Sequence, residues 1–312
     1  MMAPAGEREF ASIEPREVPM ISSPRSAAFV VVAMGAMGVA ALWLVAGAVT
    51  TESEPEMVQA GTNYVRYGHR GTTSYGILEG DTVHQLAGDL FASPSRTGAS
   101  VALAEVELLA PVVPSKVIAV GLNYRSHIGN AEPAEYPGLF AKYPTSIVGP
   151  GADIVIPADA ENVHYEGELV VVIGKTAKDV SVEDAPDYIF GVTAGNDVSE
   201  RDWQRNDLQW LRAKGADTFG PVGPAVVVGL DYNDLHVETR LNGEVRQAES
   251  SADLIFDVDT IVSYVSRYFT LYPGDIIFTG TPGSTRAMQP GDVVEIEVQG
   301  VGVLRNTVTA AR

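Results

Sequence analysis

The stretch His164-Tyr165-Glu166-Gly167-Glu168-Leu169-Val170-Val171-Val172-Ile173-Gly174 decides how this chain is read. An apolar run from Leu169 to Ile173, mostly β-branched and closed by glycine, has the composition and length of a buried strand. Two carboxylates enter it. Side chains alternate along a strand, so Glu166 and Glu168 point to one face about 7 Å apart along the chain. Two like charges at that spacing call for a cation between them, and a divalent ion is the economical answer. The alternative is the solvent face of an edge strand, where carboxylates are simply exposed. His164 shares the face of the pair, either as a partner to the acidic groups or in a capping or solvent role.

Outward from that strand the pattern stays β-rich. Val117 to Val120, Ala225 to Val228, Val237 to Leu241, Ile276 to Thr279 and Val293 to Val298 read as strands, and helices are few and short. Asn242-Gly243 between two alternating runs is a two-residue hairpin signal. Asp257 opens the one clear amphipathic helix, with Val258, Ile261, Val262, Val265 and Phe269 on one side. Residues 62 to 110 read as further short strands around a turn at Glu79-Gly80-Asp81. The expectation is a mixed, mostly β chain: a sandwich or rolled barrel as one domain, preceded by a small β-rich N-terminal domain. The boundaries predicted are 58–112 for the small domain and 113–312 for the large one.

Composition narrows the chemistry. The chain has 312 residues, 46% of them hydrophobic, which is that of a folded globular protein. Forty acidic against 21 basic residues give a net charge of -19, which repels phosphate backbones and excludes nucleic acid as a partner. There is no cysteine, hence no disulfide, thiolate zinc site, iron–sulfur cluster or cysteine nucleophile, and any metal must sit on oxygen or imidazole.

Residues 1–25, with four Glu, three Arg and Pro at 4, 15, 19 and 24, read as a disordered tail. Residues 27–49 carry no charge for 23 positions, about 34 Å as a helix, which predicts a transmembrane or signal-anchor helix over 26–50. Arg25 before it and Glu52, Glu54 and Glu56 after it predict a membrane-anchored protein with the rest of the chain exported to the periplasmic side. Cleavage near Ala46-Gly47-Ala48 would make it secreted, and a start codon assigned too far upstream would make it cytoplasmic.

A second acidic cluster follows at Asn196-Asp197-Val198-Ser199-Glu200-Arg201-Asp202-Trp203-Gln204. Asp197 completes a three-carboxylate set that suits Mg²⁺ or Mn²⁺; read alone, the segment is equally a turn and helix cap. With Gly121-Leu122-Asn123-Tyr124-Arg125-Ser126-His127, Tyr165-Glu166-Gly167-Glu168-Leu169, Arg212-Ala213-Lys214-Gly215, Thr218-Phe219-Gly220-Pro221, Asn242-Gly243-Glu244-Val245-Arg246-Gln247, Thr279-Gly280-Thr281-Pro282 and Pro290-Gly291-Asp292, this cluster closely resembles the fumarylacetoacetate hydrolase family from Lys116 to Thr307. The likeness is to its acylpyruvase and 2-hydroxyhepta-2,4-diene-1,7-dioate isomerase-like members. Residues 62 to 110 resemble the small N-terminal domain of many members.

The resemblance implies a β-roll core, usually in a homodimer, that holds Mg²⁺ or Mn²⁺ and takes 2-oxo or 1,3-dioxo acids. By position, Glu166, Glu168 and Asp197 match the metal ligands. Arg201, Gln204 and Lys214 match the groups that hold the substrate carboxylate and the developing oxyanion, Thr281 matches a further carboxylate contact, and His127 matches the lid histidine that serves as general base. Arg201 and Lys214 thereby join His127 in the catalytic set. The implied activity is hydrolysis of a C–C bond in acylpyruvate-like acids. The alternatives are an isomerase or decarboxylase acting on unsaturated 2-oxo diacids of aromatic catabolism, or a binding protein that kept the metal and lost turnover.

One position departs from the pattern. Several members carry a glutamate three residues after the lid histidine; here that residue is Asn130, and Glu132 lies two further on. Ile128 to Tyr143, rich in Gly, Pro and Glu, reads as the mobile lid. The substitution weakens the case for activated water and strengthens isomerisation, which needs only proton transfer.

Overall fold

Every residue of the strand Gly167–Ile173 is buried, which an edge strand cannot achieve. In the computed structural model, which describes residues 61–311, it pairs antiparallel on one side with Ile189–Asn196 and on the other with Ile276–Phe278. These strands lie in a twelve-stranded mixed sheet. Ten of its strands run in the order Ser95–Ala102, Thr82–Ala87, Thr72–Glu79, Thr62–His69, Gly220–Val228, Ile189–Asn196, Gly167–Ile173, Ile276–Phe278, Val117–Gly121 and Gly138–Lys142, with Glu107–Leu109 paired to Thr62–His69 and Ile147–Val148 to Gly220–Val228 off that path. Thr62–His69 joins Gly220–Val228 through Thr62↔Val228, Asn63↔Val227 and Tyr64↔Val226, so the N-terminal strands continue the main sheet directly.

A second, five-stranded sheet is ordered Glu244–Ser250, His236–Leu241, Val293–Val298, Gly302–Ala310 and Asp153–Ile156. It packs over the acidic end of Gly167–Ile173. The contact is so close that a Cβ on Gly167 would fall 2.0 Å from Thr239 Oγ1 and 3.0 Å from Ile296 Cδ1. Between the sheets the core is filled by Leu169, Val171, Ile173, Val237, Ile296 and Leu304, all essentially inaccessible to solvent. Asn242 and Gly243 both take positive φ, 54° and 79°, in the turn joining His236–Leu241 to Glu244–Ser250, the left-handed pair that a two-residue hairpin requires.

The helix Val258–Tyr268 is capped by Asp257, whose Oδ1 accepts from Thr260 N at 2.8 Å, and buries Val258, Ile261, Val262 and Val265. Phe269, expected on that face, is the C-cap and is exposed instead. This helix spans only about 16 Å, half of a bilayer's hydrocarbon thickness. Among the described residues no helix is long and apolar enough to cross a membrane. The transmembrane helix expected over 26–50 falls outside the described residues, as does the tail 1–25. The membrane-anchored, exported protein drawn from it is therefore corrected: no described element supports anchoring.

The lid expectation also changes. Gly138–Lys142 is a strand paired with Val117–Gly121, from Val117↔Lys142 to Gly121↔Gly138, so the connecting loop is confined to residues 129–137.

Candidate active site

Cross-strand register builds the acidic centre. Gly167 faces Asn196 and Glu168 faces Gly195 across the antiparallel pair, and the next step of the ladder sets Asp197 beside Glu166, with Asp197 N donating to Glu166 O at 2.8 Å. Opposed residues on an antiparallel pair share a face, so all three carboxylates emerge on one side. One oxygen from each of Glu166, Glu168 and Asp197 lies within 4.8 Å of the others, and all three residues are buried. Gly195 keeps the space beneath them clear, because a Cβ there would meet Val170 Cγ2 at 2.4 Å and Phe278 Cε1 at 2.7 Å.

Three cations pair with two of the three carboxylates, Glu166 and Asp197. Lys214, buried on the short helix Leu211–Gly215, donates to Glu166 Oε2 and to Asp197 Oδ2, each at 2.6 Å. Arg201 opens the helix Arg201–Asn206, which Glu200 caps by accepting from Trp203 N at 2.5 Å. Its guanidinium donates to Glu166 Oε1 at 2.5 Å and, one turn along, to Gln204 Oε1 at 2.9 Å. The third cation is Lys142, whose buried Nζ donates to Asp197 Oδ1 at 2.5 Å and also to the Lys214 carbonyl. Lys142 falls in the segment that the sequence places in the lid, and its five-residue strand shows no alternation that would mark it.

The pairing is uneven. Burial opposes ionisation of Glu166, but Lys214 and Arg201 outweigh it and hold that carboxyl well below the usual range. Glu168 accepts from the backbone N–H of Gly280 at 2.7 Å, and burial, Asp197 and Glu166 push its carboxyl well above the usual range. Burial lowers Lys142 against the pull of Asp197, whereas Asp197 and Glu166 overcome burial and raise Lys214. A buried, all-oxygen set with one carboxylate lacking a cation of its own has the donor chemistry of a Mg²⁺ or Mn²⁺ site. Glu166, Glu168 and Asp197 are the residues that would hold the ion.

His127, on the helix Arg125–Ile128, lines the same cleft. Its Nδ1 lies 2.7 Å from Gly283 O. A carbonyl can only accept, so Nδ1 carries a proton and Nε2 is the nitrogen left to act as a base. Asn130 and Glu132 are both exposed, and the orienting partner of His127 is the Gly283 carbonyl. Thr281 lines the cleft too, but its hydroxyl donates to Gly167 O at 2.9 Å and accepts from Gln247 Nε2 at 2.9 Å, so it braces the acidic strand. Gln247 also accepts from Gly167 N at 3.1 Å. It lay in a quoted motif yet was assigned no role. His164 is one step removed from the acids: its ring bonds Thr285 and Asn162, each at 2.8 Å, and burial, then Arg201, lower its pKa to about 4. The remaining wall is apolar, formed by Leu122, Phe140 and Trp210. Leu122 is 58% exposed and held at φ 60°, a left-handed conformation that is strained for leucine.

A buried carboxylate trio, with three cations against it and His127 lining the same cleft, forms a candidate active site. Residues 116–309 match the model of the Fumarylacetoacetate (FAA) hydrolase C-terminal family, and the chain belongs to that family. Residues 63–111 match the Rv2993c-like, N-terminal family. The crystal structure of 5-carboxymethyl-2-hydroxymuconate delta-isomerase from Mycobacterium smegmatis is 44% identical, with TM-score 0.77 over 80% of this chain and 100% of that one. Oxaloacetate tautomerase Fahd2a, mitochondrial, of Rattus norvegicus is 42% identical over 218 residues, 65% of this chain and 70% of its own. Maleylpyruvate hydrolase from Sphingobium sp. SYK-6, in complex with manganese (II) ion and pyruvate, is 28% identical, with TM-score 0.68 over 80% of this chain and 100% of that one. The relatives are thus enzymes of more than one reaction type.

Proposed function

We propose that the protein is a divalent-metal-assisted isomerase of 2-oxo acids, interconverting keto and enol forms by proton transfer. The observation that carries this reading is His127: a base whose tautomer is set by the neutral Gly283 carbonyl, lining a cleft whose other groups are the carboxylate trio, anion-binding side chains and apolar side chains. Taking a proton from carbon needs one base with a free lone pair. Hydrolysis asks more of it, since water must be deprotonated and the imidazolium held while a C–C bond breaks.

Arg201, with Lys214 at its side, holds the substrate carboxylate and the 2-oxo oxygen on which negative charge develops. His127 Nε2 takes the proton from C3 and returns it, either to the 2-oxygen to give the enol or to a further carbon of an unsaturated acid. A divalent ion on Glu166, Glu168 and Asp197 supplies the positive charge that makes the C3 proton acidic. Leu122, Phe140 and Trp210 receive the uncharged part of the acid and exclude water. The homodimer is part of the same proposal; a sedimentation mass of twice the 33.1 kDa chain would support it, and a monomer mass would refute it.

C–C hydrolysis is the second reading, favoured by the likeness to a maleylpyruvate hydrolase described with manganese and pyruvate. One experiment separates them: the protein with Mg²⁺ or Mn²⁺ is given oxaloacetate and, separately, acetylpyruvate, while enol absorbance is followed and pyruvate quantified. Chelator-sensitive enol–keto exchange without pyruvate release from acetylpyruvate supports the isomerase. Stoichiometric pyruvate and acetate support the hydrolase, and inertness toward both sinks the enzymatic reading.

A further inference from the structure

The Arg201 guanidinium is approached by three acceptors, and only two of them stand outside the acidic trio. Besides the bonds to Glu166 and Gln204, the guanidinium donates through Nη2 to Thr285 Oγ1 at 2.8 Å. Thr285 in turn lies 2.8 Å from His164 Nδ1, and His164 Nε2 lies 2.8 Å from Asn162 Oδ1. An amide oxygen only accepts, so Nε2 donates, Nδ1 of the neutral ring accepts, and the Thr285 hydroxyl spends its proton there and its lone pair on Arg201. Every link then has one consistent direction. The Asn162 main chain closes the circuit: its carbonyl accepts from Arg201 N at 3.0 Å, and its N–H donates to Glu200 Oε1 at 2.9 Å. A ring of hydrogen bonds thus runs from the Arg201 amide through Asn162, His164 and Thr285 back to the Arg201 guanidinium.

We infer that Thr285 and His164 are positioning residues that fix the Arg201 guanidinium as the carboxylate clamp. Glu166 is shared with the ion site, so its hold on Arg201 weakens when it serves a cation. Thr285 and Gln204 are the anchors that the cation does not contest. Gln204 rides on the same short helix as Arg201, whereas Thr285 ties the guanidinium to a different segment. That segment also offers the Gly283 carbonyl that sets the His127 tautomer, and its Gly283 N–H donates to Ser126 Oγ at 2.9 Å. Clamp and base are therefore registered on one five-residue stretch, 281–285.

The inference rests on the proposed role of Arg201, so its test reads ligand binding and not turnover alone. Mn²⁺ and then oxalate, a small chelating dicarboxylate, are titrated calorimetrically into the full chain and into Thr285→Val, Thr285→Ser and His164→Ala. Releasing a guanidinium to its many rotamers raises the cost of ordering it on binding, so oxalate binds about threefold to tenfold more weakly to Thr285→Val and His164→Ala. Mn²⁺ affinity stays unchanged in both, and Thr285→Ser, which keeps the hydroxyl, binds as the parent. Equal oxalate affinity in Thr285→Val and the parent overturns the inference alone. Loss of Mn²⁺ affinity alongside oxalate overturns it as well, since it assigns Thr285 a merely structural part. A Mn²⁺-loaded parent that fails to bind oxalate overturns the clamp reading and the inference together. Should Thr285→Val fold poorly, His164→Ala decides on the same criteria.

Discussion

Lys142→Met is the substitution whose outcome depends most directly on the charge arrangement of the site. The ammonium is fully buried on Asp197 Oδ1, and methionine matches its length without its charge. Asp197 Oδ1 then loses its buried partner, and Asp197 is left with Lys214, which Glu166 also uses. Removing one partner of a buried ion pair costs about 3–5 kcal/mol. For a domain of this size each kcal/mol moves the melting midpoint by about 2–4 °C, so the midpoint in chelator should fall by roughly 6–20 °C. Mn²⁺ should then restore more stability to the variant than to the parent, because the ion enters a site that lacks one positive charge. Thermal unfolding of both proteins, with chelator and with Mn²⁺, reads both quantities. A midpoint within about 2 °C of the parent in chelator, together with an equal Mn²⁺ shift, would refute the idea that Lys142 is a required countercharge.

Other expectations follow from the same geometry. His127→Ala should keep oxalate and metal binding while slowing turnover by about 10²–10⁴-fold, the usual contribution of a positioned base, and near-parental rates would assign the proton transfer elsewhere. Because burial and the neighbouring carboxylates push the Glu168 carboxyl well above its usual range, it holds a proton more tightly than an ordinary carboxyl, and a metal must compete with that proton. Adding Mn²⁺ should release protons, and affinity should climb as pH rises; a pH-independent affinity without proton release contradicts this, and Glu168→Gln should lose both the release and the binding. Gly195→Ala forces a methyl to within 2.4 Å of Val170 Cγ2, and urea titration should show a loss of about 1–3 kcal/mol.

What could be read from sequence was whatever has a local signature. The run Leu169 to Ile173, the Asn242-Gly243 turn and the Asp257 cap each announce themselves within a few residues, and each is found where its pattern puts it. The pairing of Glu166 with Glu168 was legible from strand alternation. Bringing Asp197 beside them was legible only through the family likeness, because cross-strand register is not encoded in either strand alone. Lys142 was lost for the opposite reason: Gly, Pro and Glu upstream of it look like a loop, and the strand that buries it begins only at Gly138. Thr281 looked like an anion contact, yet its hydroxyl is committed to the Gly167 carbonyl, a tertiary bond with no trace in composition. The charge-free run at 27–49 suggested a membrane because hydropathy alone cannot weigh that against the rest of the fold, whose longest described helix has 11 residues.

The seam between Thr62–His69 and Gly220–Val228 has a practical side. Two separate family models meet on this chain, which invites cutting it between residues 111 and 116. A fragment begun there would bare the backbone donors and acceptors of Val226 to Val228, with buried valines alongside, as an open template for any other strand. Such a piece is expected to self-associate through that margin, carrying the acidic trio intact into an aggregate. Any relative that lacks the leading strands has to shield the same margin by some other means, and its covering there is the place to look for how its architecture diverged.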